Sequence, residues 1–89
     1  ALGLADRERI YQLGAALAER DPSRAMALLN ELHDYGYDLR RLTRELLEYF
    51  RNLSIAKLLP RSEILADLPD EEQAQLAKQA QSVQAEELD

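Results

Sequence analysis

The stretch that most constrains the fold is residues 37–60, which contains no glycine or proline before Pro60. Asp38 is expected to cap a helix here, because its carboxylate can accept hydrogen bonds from the unpaired amide groups of the first turn. Pro60 is expected to end the helix, since proline disfavours the helical conformation in the residue before it. Apolar residues at three- and four-residue spacing predict one buried stripe: Leu39, Leu42, Leu46, Tyr49, Phe50, Leu53 and Ala56.

The second half of this helix carries more apolar side chains than one stripe requires. Leu47, Ile55, Leu58 and Leu59 all lie off the stripe. One interpretation is a core helix that meets neighbours on more than one side, which is the ordinary arrangement in a small bundle. The other is that part of this surplus faces another protein chain, so these four residues are the candidate interface.

Length and composition predict the fold class. A chain of 89 residues is long enough for one domain, and Ala, Leu, Glu, Arg and Gln dominate it while no alternating strand pattern occurs. We therefore expect an all-α fold, a small antiparallel bundle of about four helices. The absence of cysteine excludes disulfides and thiolate chemistry, and the net charge of −6 argues against nucleic-acid binding. No signal peptide or long uncharged apolar run is present, so we expect a cytoplasmic protein that does not bind a membrane.

Residues 1–5 are interpreted as a lead-in from a preceding domain, residues 6–60 as a three-helix core, and residues 61–89 as a less well packed helical segment. A fifth helix is expected to begin at Ser82 and to be truncated where the chain stops at Asp89.

Helix boundaries are predicted from capping residues. Asp6 and Asp21 are expected to begin the first two helices, with proline following Asp21 at the first helical position. Gly36 is expected to end the second helix in a left-handed conformation. Ser62 is predicted to cap a single turn that covers the apolar side chains of Ile64 and Leu65, and Pro69 to open the fourth helix.

The first helix is expected to bury Ile10, Leu13 and Leu17. Gly14 lies within reach of this buried face, where the absence of a side chain would permit close approach of another helix. Tyr11 is interpreted as a rim residue.

No residue pattern predicts chemistry. There is no Gly-rich phosphate loop, no nucleophile–histidine–acid set and no zinc signature, so we expect no catalytic, cofactor-binding or metal-binding residue and no small-molecule substrate. The single histidine, His33, is expected to interact with exposed carbonyl groups at the end of the second helix.

Three arginines, Arg40, Arg44 and Arg51, are predicted to line one side of the central helix. They are the candidate anion-binding strip, which would contact phosphate or an acidic protein surface. The ordinary alternative is a solvated face balanced by Glu45 and Glu48 through near-neighbour pairs.

The order of the residues resembles the start of the third domain of the bacterial DNA polymerase III gamma/tau subunit. The features that carry the resemblance are Leu2-Gly3-Leu4 before Asp6, ALLNEL at 27–32, Gly36 followed by Asp38-Leu39, and ELLEYFRNL at 45–53. They cover the first two thirds of the chain well, and the segment that starts at Pro69 fits more loosely.

The resemblance implies a helical collar that holds together the subunits of an ATP-driven clamp loader in DNA replication. The partners it implies are other clamp-loader subunits, further copies of this chain, or both. The family's ATP-binding, arginine-finger and zinc-binding residues are not in this sequence, so none is carried over. The alternative from the residues alone is a peptide-binding adaptor domain unrelated to replication. A weaker alternative is nucleic-acid binding through the arginines.

Overall fold

The computed structural model describes the backbone of residues 4–88 and the side chains of residues 7–83. Its helices are α1 (Leu4–Ala18), α2 (Pro22–Asp34), α3 (Leu39–Leu58), α4 (Glu63–Ala66) and α5 (Asp70–Leu88). No strand occurs in residues 4–88, so the expected all-α fold with four long helices is confirmed. The chain forms two compact units, residues 1–49 and residues 50–89, and α3 contributes to both.

The turn between α1 and α2 satisfies the backbone groups of both helix ends. The amide groups of Arg20 and Asp21 donate to the carbonyl oxygens of Leu17 (3.2 Å) and Ala16 (2.9 Å), which is the Schellman pattern. Arg20 has the left-handed φ of 59° that this pattern requires. The Asp21 carboxylate then accepts from the amide of Arg24 at 3.1 Å, so the predicted cap of α2 is confirmed.

The turn from α2 to α3 has the same pattern with glycine in the left-handed position. Gly36 has a φ of 74°, and its amide donates to the carbonyl of His33 at 2.9 Å. The amide of Tyr37 donates to the carbonyl of Leu32 at 3.0 Å. Asp38 then caps α3 by accepting from the amide of Arg40 at 2.9 Å, as predicted.

The core of the first unit lies between α1, α2 and the first part of α3. Its buried members are Ile10, Leu13, Ala16, Ala25, Leu28, Leu32 and Leu42, with Leu29, Tyr37 and Leu46 packed against them. The prediction was wrong for Leu17 and Leu39, which are 43% and 72% exposed. Both lie in terminal turns of their helices, where a side chain can project beyond the packed part of its neighbours.

Tyr49 joins α3 to α1 through its aromatic ring. It is 2% exposed, and its ring meets that of Tyr11 edge to face with centroids 5.1 Å apart. A Cβ atom placed on Gly14 would lie 2.9 Å from Cζ of Tyr49 and closer still to two other ring carbons, so the glycine makes room for the ring. Tyr11 is only 5% exposed, so its interpretation as a rim residue was wrong.

The second unit buries few large side chains. Asn52, Leu53, Leu65, Leu76 and Ala80 are its buried residues among those described.

Short capping contacts hold the loop of the second unit. Ser62 caps α4 by accepting from the amide of Ile64 at 3.2 Å, as predicted. The side-chain amide of Gln73 donates to the carbonyl oxygens of Leu68 (2.7 Å) and Ala66 (3.3 Å), and thereby holds the loop between α4 and α5.

Two predicted helix starts were wrong. Helix α1 begins at Leu4, so Asp6 is inside it, because nothing after Gly3 disfavours helix. Ser82 also lies inside a helix, since α5 continues to Leu88. No glycine or proline interrupts α5, and the residue three after Ser82 is Ala85 instead of the acid that completes a capping box.

Replacing Gly14 by alanine should destabilise the chain although alanine is the better helix former. The added methyl group overlaps the buried Tyr49 ring, and overpacking of this kind typically lowers the free energy of unfolding by about 1–3 kcal/mol. Urea unfolding would measure the change. Thr43→Ala, at an exposed helical position, is the control that gains helix propensity without an overlap; equal effects of the two changes would contradict the packing argument.

Stability should fall in alkaline solution because of Tyr49. Burial, and secondarily the nearby Glu19 carboxylate, raises the pKa of Tyr49 above its ordinary value of 10.0. At pH values above 10.0, the Tyr49 hydroxyl loses its proton in the unfolded chain but keeps it in the folded chain. The free energy of unfolding therefore decreases as pH rises.

The decrease is expected to be up to about 1.4 kcal/mol per pH unit and should be smaller in Tyr49→Phe. Urea unfolding from about pH 9 to about pH 11 would measure both slopes. Tyr35→Phe is the matched control, since Tyr35 is 69% exposed. If Tyr49→Phe had the slope of the parent chain, Tyr49 would not be the titrating group.

Candidate interaction surfaces on helix α3 and the α4 turn

Helix α3 exposes large apolar side chains in both units. Of the four predicted interface residues, Leu47, Leu58 and Leu59 are 65%, 73% and 64% exposed. Ile55 is half-buried. Single exposed leucines are ordinary on protein surfaces, whereas contiguous exposed apolar patches mark contact sites, and Leu58 and Leu59 are exposed in succession. The structure is therefore compatible with an interface at these residues, which stays a prediction.

In the first unit, three exposed residues of α3 form what we call the basic face: Arg40, Arg44 and Leu47. They follow one another at spacings of four and three residues, which places them on the same side of a helix. Among the described residues, the guanidinium groups of Arg40 and Arg44 form no ion pair. Two positive charges thus lie beside an exposed leucine.

Arg41, between these two arginines in sequence, has a different environment. Its Nε donates to Oε1 of Glu45 at 3.2 Å, and the other carboxylate oxygen of Glu45 accepts from the Tyr37 hydroxyl at 2.6 Å. The side chain of Glu45 is only 12% exposed, so both of its oxygens are satisfied within the protein. Glu45 is therefore committed to Arg41 and Tyr37. Of the two acids in the ordinary interpretation, Glu48, which is exposed and lies four residues after Arg44, is the one left to balance the strip.

Arg51 belongs to the second unit and makes local contacts. Its Nε and Nη2 donate to the side-chain oxygen of Asn52 at 3.3 and 3.1 Å. Asn52 is 6% exposed, and the pattern of leucines did not predict a buried amide here. Its position three residues after Tyr49 was the available signal, because that spacing keeps it near the buried stripe.

The second unit has an exposed surface of opposite charge, which we call the acidic surface: Leu59, Glu63, Ile64 and Asp67. All four side chains are exposed, with Leu59 at 64% and Ile64 at 49%, whereas Leu65 between them is buried. Both Ile64 and Leu65 were expected to be covered, and this prediction was wrong for Ile64. A helix of one turn can bury only one side of itself.

No arrangement for metal binding occurs among the described side chains, where no group of three or more His, Asp or Glu residues converges. His33 is exposed and lies 3.7 Å from the carboxylate of Asp34. Among the residues that the structure describes, no helix combines the length and the apolar character of a membrane-spanning segment.

A family model for DNA polymerase III subunits gamma and tau, domain III, matches residues 1–89, the whole chain. The chain therefore belongs to this family, and the resemblance seen in its sequence is confirmed. Gamma and tau are clamp-loader subunits of the replicative polymerase complex, which places the domain in DNA replication. No curated protein and no solved structure matches the chain significantly.

Replacing Tyr37 by phenylalanine should destabilise the first unit. The change removes a 2.6 Å hydrogen bond to a carboxylate that is largely buried, and such charge-assisted bonds contribute about 1.5–3 kcal/mol. Thermal or urea unfolding would measure the loss.

Tyr35→Phe is the matched control for this change. The Tyr35 hydroxyl lies on the surface and accepts only a long 3.3 Å bond from Arg9, while the stacking of Arg9 on the ring, 4.3 Å from its centroid, is retained. We expect a loss below about 0.5 kcal/mol. If the two variants lost the same free energy of unfolding, the hydrogen bond from Tyr37 to Glu45 would not contribute more to stability than the surface bond of Tyr35.

Proposed function

We propose that this domain is a non-catalytic oligomerisation module of the clamp loader. It binds other clamp-loader subunits, further copies of itself, or both, and acts in the cytoplasm. Its contribution is to hold subunits together, while the ATPase chemistry of gamma and tau belongs to residues outside this chain.

The observation that carries the proposal is the exposure of two successive leucines at the end of α3, a helix that buries other apolar side chains. Leu58, the last residue of α3, and Leu59, which follows it, are 73% and 64% exposed, while Leu53, five residues before Leu58, is 8% exposed. Burying such a side chain contributes about 1.5–3 kcal/mol in favour of association. The total affinity depends on how well the surfaces fit, and not on area alone.

Substituting Leu58 and Leu59 by aspartate tests the proposal. The double variant should weaken association by about tenfold or more, because each aspartate would have to lose water in the contact. Sedimentation equilibrium over a wide concentration range, with and without the other clamp-loader subunits, would measure the change. Circular dichroism should show helix content close to that of the parent chain.

The matched control is Gln75→Asp with Gln81→Asp, which adds the same charge at exposed positions of α5. We expect this control to associate like the parent chain. Unfolding of the leucine double variant would place Leu58 and Leu59 in the monomer core and contradict the assignment. Unchanged association of a folded double variant would equally exclude these residues from the interface.

A further inference from the structure

We infer that the partner in self-association is the acidic surface of a second copy, which binds the basic face of the first copy. Copies would then associate head to tail through two different surfaces. The inference rests on the proposed function, since it names the partner for one of the contacts that the function requires.

The basic face has both the charge and the apolar contact that such an interface needs. Residues 39–44 contain three arginines and no acid, and Arg41 is already paired with Glu45. Arg40 and Arg44 remain exposed beside Leu47, itself 65% exposed. Arginine next to a large apolar side chain is the composition typical of interface centres.

The acidic surface has the complementary composition. Between Arg61 and Lys78 the chain contains carboxylates and no basic residue, and the five are Glu63, Asp67, Asp70, Glu71 and Glu72. Glu63 and Asp67 lie one turn apart and are exposed. Ile64 and Leu59 supply apolar contact, as Leu47 does on the basic face. Each surface thus combines exposed apolar side chains with charges of one sign, and the two signs are opposite.

Electrostatics favours this pairing over the other contacts between copies. With a net charge of −6, two copies repel each other in general, so a self-contact needs local charge complementarity. Pairing the basic face with itself would bring Arg40 and Arg44 near the same residues of the other copy, and like charges in an interface are disfavoured. Pairing the basic face with the acidic surface removes both problems. A contact of this kind is heterologous, because the two copies use different surfaces. In each pair, one copy still has a free acidic surface and the other a free basic face.

Charge reversal on each surface tests the pairing. The first variant carries Arg40→Glu and Arg44→Glu, and the second carries Glu63→Arg and Asp67→Arg. Each alone should weaken self-association by about tenfold or more, since like charges would then meet. An equimolar mixture should associate again, because the new carboxylates of the first variant meet the new arginines of the second. Sedimentation equilibrium of the chain would measure all three samples.

Arg20→Glu with Lys78→Glu is the control for net charge, because it changes the charge by as much as the first variant does at exposed positions outside both surfaces. It should retain most of the self-association. Circular dichroism and thermal unfolding of every variant would show that the substitutions, all at exposed positions, leave the fold intact.

Restored association in the mixture would support head-to-tail pairing. A mixture that associates no better than either variant would overturn it, as would self-association that neither reversal weakens. A chain that stays monomeric but binds other clamp-loader subunits would overturn the pairing and leave the proposed function standing. Absence of both kinds of association would contradict the proposed function itself.

Salt-sensitive DNA binding that the arginine variant alone loses, with self-association unchanged, would assign Arg40 and Arg44 to nucleic acid and overturn the pairing.

Discussion

Tyr49 packs its buried ring against the backbone of Gly14, and this contact fixes how closely α3 approaches α1. The edge-to-face contact with Tyr11 holds the ring from a second direction. Because Tyr49 takes this position, the buried side of α3 in the first unit is set, and Leu42, two turns earlier, lies in the core of that unit. The residues that remain outside, including the basic face, are exposed as a consequence of that packing.

The same helix therefore has two roles along its length. Leu42, Tyr49 and Leu53 are buried, while Leu47 and Leu58 are exposed at other positions around the helix. A helix can satisfy both because its 3.6-residue period separates side chains by direction. Glu45 pairs with Arg41 and Tyr37 and not with Arg40 or Arg44. The charges of Arg40 and Arg44 are therefore not needed for the fold.

Much of the fold could be predicted because it depends on local rules. Caps such as Asp21, Asp38 and Ser62 act through backbone amide groups a few residues away, and their chemistry is visible in sequence. Burial was harder to predict, since it depends on which neighbour covers a residue: Tyr11 was expected at the rim and is in the core, and Ile64 was expected inside and is exposed. The candidate interface could be named from its surplus of leucines. Its partner could not be named, because the sequence of one chain does not specify which other chain buries those leucines.

The turn at Arg20 has a consequence for the order of folding. The Schellman bonds close this turn, and only Glu19 and Arg20 lie between the end of α1 at Ala18 and the cap of α2 at Asp21, so the connection is very short. Closing such a loop restricts little chain entropy, and contacts between neighbours in sequence form faster than distant ones. The α1–α2 hairpin is thus suited to form first and to present a ready surface on which the ring of Tyr49 can dock.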